Sequence, residues 1–134
     1  MSTAYQTLET RFRRMALLSE AAGVLHWDAA AIMPDGGARA RGEQLAELKA
    51  VVHGLMTAAD VGDLIADAGT VESDLDDWQR ANLREIRQHW IKATAVPEDL
   101  VVALSRACSS CETVWRGARV DADFAAVQPL LQEV

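Results

Sequence analysis

Three kinds of residue in this sequence could do chemistry: three histidines, two cysteines and one aspartate inside an apolar segment. The histidines, His26, His53 and His89, have no second metal ligand at the spacing of a helical metal site, and no H-E-x-x-H occurs. The sequence also has no G-x-S-x-G, no phosphate-binding glycine loop and no cysteine with a convincing histidine partner. These patterns assign no catalytic, metal-binding or cofactor-binding residue to the chain, and no cofactor.

Cys108 and Cys111 form a C-x-x-C pair. Two cysteines cannot complete a four-ligand zinc site. A thioredoxin-like pair lies at a helix N-terminus after a strand, whereas these cysteines lie about three turns into a helical pattern. We therefore expect two small thiols that face the core.

Asp28 lies in the most apolar stretch of the chain, residues 21–33, where the only other polar side chain is His26. A helix that is apolar on nearly every side is predicted to be central, with two of its sides covered by other helices. An ionised Asp28 would cost roughly 2 kcal/mol or more there without hydrogen-bond donors. Arg39 and Arg41 are the candidate donors; the alternative is that both arginines point to water. A lone carboxylate of this kind is more typical of a structural pair than of a catalytic acid.

The rest of the chain indicates helices that could position these residues. Apolar residues recur at steps of three and four, and 24 alanines with only three prolines favour closely packed helices over a sheet. We expect a single all-α domain over residues 1–134, built of antiparallel helical hairpins. It is predicted to be a bundle of about five helices, two of them long, without strands.

The first long helix is predicted to end near Ile32, because Pro34 disfavours helix at Met33 and Gly36-Gly37 turns easily. The next helix should then fold back antiparallel on the first.

The later elements are predicted as a helix over residues 38–56, a short helix that ends at Gly69, a surface helix over residues 78–93 and a second long helix. Pro97 is the predicted first residue of that long helix, which runs to about Arg119. Residues 121–124 are predicted to be a connection, and Pro129 to begin a new helix that is too short to be stable by itself.

These helices are too few to cover both apolar faces of residues 21–33. An uncovered apolar patch usually finds a surface to bury against, and a two-fold dimer uses one patch twice. We therefore expect the chain to self-associate.

The charge and hydropathy exclude two classes of partner. A formal charge of −7 argues against nucleic-acid binding, which needs clustered lysines and arginines. No signal pattern occurs, and no apolar run approaches the roughly 20 residues that span a bilayer. We expect a cytoplasmic protein that does not bind membranes.

Several motifs together resemble the N-terminal part of the carboxypeptidase Taq family of metallocarboxypeptidases. The most specific is W-D-x-x-x-x-M-P-x-G-G, and the chain departs from the family pattern at His26, where we expect Asp, and at Ala31, where we expect Thr. The motif residues are Trp27, Asp28, Met33, Pro34, Gly36 and Gly37, followed by Arg39, Arg41, Gln44 and Leu45, and later by Asn82-Leu83-Arg84-Glu85 and Ala95-Val96-Pro97-Glu98-Asp99-Leu100.

The resemblance implies a fragment, or a short paralogue, of a much longer and mostly helical enzyme. Members of that family are often homodimeric and remove C-terminal amino acids from peptides with a metal, usually zinc or cobalt. Their metal-binding and substrate-binding residues lie downstream of the region matched here, so the chain alone is expected to be inactive. Its partner would be a second copy or the C-terminal catalytic region, with peptide substrates only in the full-length context. The alternative is a non-catalytic helical interaction or oligomerisation module, and whether the chain belongs to an enzyme is left open.

Overall fold

The computed structural model describes residues 3–134, and over these residues it has six α-helices and no strand. The predicted all-α class is confirmed, with one helix more than expected. Two short 3-10 turns, Asp35–Gly37 and Glu72–Asp74, lie in the connections. The helices are α1 (Thr3–Ala31), α2 (Ala38–Met56), α3 (Val61–Thr70), α4 (Asp77–Thr94), α5 (Glu98–Val120) and α6 (Phe124–Glu133).

Helices α1 and α2 form the predicted antiparallel hairpin, and its turn lies at Pro34. The N–H of Met33 donates to the carbonyl of Asp28 at 2.9 Å, and the N–H of Gly37 donates to the carbonyl of Pro34 at 2.8 Å. No glycine among residues 3–134 has a positive φ, so the turn does not need glycine for its backbone angles. Gly37 instead allows the side chain of Met33 to approach the backbone of the turn, because a Cβ at Gly37 would lie 3.1 Å from Cγ of Met33.

The main hydrophobic core lies against the first half of α1. Tyr5 and Leu8 are almost fully buried against side chains of α3 and α4. The core residues are Tyr5, Leu8, Val61, Ile65, Ala68, Leu75, Leu83 and Ile86.

The prediction that residues 21–33 form a central, covered helix is wrong for this chain. Val24, Trp27 and Ile32 are 64%, 61% and 68% exposed. Periodicity alone shows that a face is apolar and does not show which other helix reaches it. Here α3 and α4 cover the first half of α1, while the second half packs on α2 and is left open on its outer side.

Helix α5 runs antiparallel along α2, in close contact. A Cβ at Gly42 would lie 3.3 Å from Cβ of Ser109, and near the other end of α2 a Cβ at Gly54 would lie 3.5 Å from Oε2 of Glu98. Glycine therefore lets the two helices approach, and this contact brings α5 to the tip of the α1–α2 hairpin.

The predicted boundaries of three helices need correction. Helix α6 begins at Phe124 and not at Pro129, because Asp123 caps it by accepting a hydrogen bond from the N–H of Ala126 at 3.2 Å. Pro97 is the residue before α5. Its backbone is extended, with a ψ of 152°, and not helical. Helix α3 continues through Gly69 by one residue.

Candidate functional site

The motif residues meet where α1 ends and α2 begins. The Asp28 carboxylate accepts a hydrogen bond from Nη1 of Arg41, and the two side chains are 26% and 19% exposed. Nη1 of Arg41 also donates to the carbonyl of Leu25 at 3.1 Å, and its Nε donates to Oε1 of Gln44 at 3.0 Å. Of the two predicted donors, Arg41 is the partner of Asp28, and Arg39 is exposed near Glu43.

A second arginine reaches the same helix end from α5. Arg116 donates to the carbonyl of Ala29 and to the carboxylate of Glu112. The last four carbonyls of a helix have no donor within the helix, and that end carries a partial negative charge. Arg116 therefore satisfies a carbonyl at the end of α1 and fixes α5 to the hairpin tip.

A cavity of about 330 Å³ lies between the ends of α1, α2 and α5. Arg41 and Arg116 contribute positive charge to its lining, and Asp35 and Glu112 contribute negative charge. Because both arginines are held by protein acceptors, the polar groups of this cavity are arranged to fix helices.

The neighbours Trp27 and Asp28 of the motif lie on different faces of α1. Asp28 is directed at α2, whereas Trp27 belongs to a row of exposed apolar side chains on the outer side of α1. We call this row the outer face of α1; it consists of Leu17, Val24, Trp27 and Ile32, which are all at least 60% exposed.

Two further ion pairs hold neighbouring elements together. Arg11 makes a two-pronged contact with Asp60, at 2.7 Å for each pair of atoms, and its hydrogen bond holds the pKa of Asp60 below the ordinary value. Arg106 of α5 similarly lowers the pKa of Glu43 of α2, mainly through a hydrogen bond of 2.8 Å. Both pairs join elements distant in sequence.

The histidines do not come together. Nε2 of His53 lies 3.1 Å from the carbonyl of Ala93 and 2.8 Å from that of Val96, so His53 attaches the end of α2 to the α4–α5 connection. His26 and His89 are exposed. Within residues 3–134 no three side chains of His, Cys, Asp or Glu are close enough together to hold a metal ion.

Sequence reasoning did not find the role of Arg116. Its acceptor on α1, Ala29, is 87 positions away, and nothing in the local pattern of α5 indicates which face meets the hairpin tip.

Comparison with known proteins decides the family. The sequence model of the carboxypeptidase Taq (M32) metallopeptidase family matches residues 7–134. The chain belongs to this family. It is 33% identical to thermostable carboxypeptidase 1 of Thermus thermophilus over 134 residues, which are 98% of this chain and 26% of that protein. It is 26% identical to thermostable carboxypeptidase 1 of Pyrococcus furiosus over 124 residues, 92% of this chain and 25% of that protein.

Solved structures agree on the fold. Metallocarboxypeptidase 1 of Trypanosoma cruzi matches with a TM-score of 0.75 and 34% identity, over 97% of this chain and 26% of that one. A crystal structure described as BsuCP matches with a TM-score of 0.93 and 23% identity, over the same shares of the two chains. The chain spans about a quarter of the length of these relatives and corresponds to the N-terminal region of the family.

The family is metal-dependent, but within residues 3–134 no three side chains of His, Cys, Asp or Glu form a centre of the kind that a metallopeptidase uses. We therefore assign no step through a metal to residues of this chain. None of the helices in the described range is long and apolar enough to cross a membrane.

Proposed function

We propose that this chain is the N-terminal helical part of a metallocarboxypeptidase that removes C-terminal amino acids from peptides. The observation that carries the proposal is its match to thermostable carboxypeptidase 1 of Thermus thermophilus, over 98% of this chain but 26% of that protein. The metal, zinc or cobalt, and its ligands then belong to the remainder of the longer protein. The stand-alone interaction module is not favoured by these matches.

Within that protein the chain acts as a scaffold. Arg41 and Arg116 hold the hairpin tip rigid from two helices, and the outer face of α1 remains available to other parts of the protein. An apolar patch on a hairpin that is fixed in this way suits a permanent contact, because little ordering is needed on association. The partner proposed for it is the catalytic region, with a second copy of the chain as the other candidate, and the location proposed is the cytoplasm.

The chain alone should not release the C-terminal amino acid from N-blocked dipeptides, with or without added zinc or cobalt. Peptide hydrolysis of this kind needs an activated water and a general base, and the proposal places both elsewhere. Release that is abolished by a chelator would show that the proposed division of roles is wrong.

The positive test is a chimera in which this chain replaces the matching region of the Thermus thermophilus enzyme. We expect chelator-sensitive release of C-terminal amino acids. Trp27→Asp in the chimera should abolish it by placing a charge in the outer face, while Trp78→Asp is the matched control, since Trp78 is 81% exposed and lies outside that face. A folded chimera without activity, or equal effects of the two variants, would contradict the proposal.

A further inference from the structure

The two cysteines do not both face the core as expected. Both thiols are free; Cys111 is 8% exposed, whereas Cys108 is open to solvent. The two residues line one cavity of about 630 Å³ between α5 and α6. A thiol at the mouth of a cavity and a second thiol inside it form an arrangement that the proposed peptidase role does not use.

The helical spacing suits two-coordinate binding. Residues three apart on a helix have Cβ atoms about 5–6 Å apart. An ion bound linearly by two sulfurs holds them roughly 4–5 Å apart, judged from the zinc–sulfur bond of about 2.3 Å, which is close to this Cβ spacing. We propose that Cys108 and Cys111 form a two-thiolate site for a soft monovalent cation, Cu(I).

The surroundings favour this ion over zinc. Soft thiolate ligands select Cu(I), whereas zinc requires four ligands, and no third His, Cys, Asp or Glu joins the pair within residues 3–134. The cavity wall beside the thiols is mostly apolar, with Trp115, Phe124 and Leu131 contributing to it, and so it offers few competing hard oxygen ligands.

The charge balance involves Arg119. Cu(I) replaces the two thiol protons, which are released to solvent, and the resulting complex carries one negative charge. Arg119 lines the same cavity, with its guanidinium 5.4 Å from the centre of the Trp115 ring, and offsets that charge. The two carboxylates in the lining are engaged: Glu112 accepts from Arg116, and Asp123 accepts from the N–H of Ala126.

The test is a titration of the full chain without oxygen, after both thiols have been counted as reduced. Cu(I) is supplied with ascorbate and competes between the protein and the coloured chelator bicinchoninate. We expect one Cu(I) per chain. Cys108→Ser removes one of the two metal ligands and should lower the affinity for Cu(I) at least about 100-fold, because loss of a residue that only hydrogen-bonds to a metal ligand already costs 10–100-fold. Ser110→Ala, on another face of α5, is the matched control and should leave the affinity unchanged.

A second variant and a second metal make the result decisive. Cys108 is exposed, so Cys108→Ser should keep the thermal midpoint of the metal-free chain, and Arg119→Gln should weaken Cu(I) binding with both thiols present. X-ray absorption should show two sulfur neighbours. The proposal is wrong if Cys108→Ser or Cys111→Ser binds as the unaltered chain does, if zinc binds as tightly as Cu(I), or if one ion is shared between two chains.

Discussion

The pair of Asp28 and Arg41 makes the sharpest prediction about the hairpin tip. Breaking a fully buried pair costs 3–5 kcal/mol, and an exposed pair contributes about 0–1 kcal/mol. With side chains 26% and 19% exposed, the pair lies between these limits, and Asp28→Ala should destabilise the fold by about 2 kcal/mol. Arg41 would keep only the Leu25 carbonyl and Gln44 as acceptors.

The measurement is a double-mutant cycle of Asp28→Ala and Arg41→Ala, followed by urea and thermal unfolding. At this chain length, 2 kcal/mol corresponds to a fall in the thermal midpoint of about 6–10 °C. The coupling energy of the two changes should exceed about 1 kcal/mol. Glu43 and Arg106 are the control pair; their side chains are 54% and 55% exposed, so their coupling should be smaller. Additive effects of the Asp28 and Arg41 changes would refute the reasoning, because Asp28 would then behave as a solvated residue.

Four other predictions test the rest of the fold. Ala122→Gly should stabilise by up to about 1 kcal/mol, because Ala122 has φ 55°, a left-handed conformation that glycine adopts without strain. Gly62→Ala should destabilise in urea unfolding, since its Cβ would lie 3.0 Å from Cζ2 of Trp90. Arg11 holds the pKa of Asp60 below its ordinary 3.8, so the stability from this pair is full above pH 3.8 and is lost as pH falls through the lowered pKa. Thermal midpoints measured from about pH 5 to 2 should therefore fall less steeply in Arg11→Gln. Light scattering over a dilution series should show self-association of the isolated chain through the outer face of α1, which is uncovered in the monomer.

Three of these four predictions have a control or a refuting outcome. Gly23→Ala has open space around its new Cβ and should be stabilising, so a loss of stability there would mean that the outer side of α1 is covered. If the thermal midpoint falls equally steeply with falling pH in Arg11→Gln and in the unaltered chain, the role given to Asp60 is contradicted. A monomer mass at every concentration would rule out the expected association.

The sequence was sufficient for features that depend on neighbours along the chain. Pro34 disfavours helix before it, so the end of α1 follows from local chemistry, and an antiparallel α2 follows from a short connection. The need of Asp28 for a donor likewise follows from its apolar neighbours. The choice between Arg39 and Arg41 did not follow, because two residues separated by 200° on a helix cannot both face α1, and the register of the hairpin decides which one does.

The features that the sequence could not predict depend on contacts between distant elements. The apolar residues of α1 are spread along its whole length, and only the positions of α3 and α4 determine that Tyr5 is buried while Trp27 is exposed. Pattern alone places both residues on apolar faces. The same limit applies to the two cysteines, because the pattern does not show that Cys111 is buried beside Val127 of α6 while Cys108 is exposed.

The different faces occupied by Trp27 and Asp28 connect the fold to the proposed role. Adjacent residues on a helix are separated by 100°, so one motif can serve an internal and an external contact at the same point. Asp28 binds Arg41 of α2 one residue away from Trp27, so the ion pair holds the end of α1 that presents the indole. A change at Asp28 should therefore weaken contacts made by the outer face of α1, even though Asp28 does not belong to that face. In the chimera, Asp28→Asn should reduce the activity while the helix content measured by circular dichroism is unchanged.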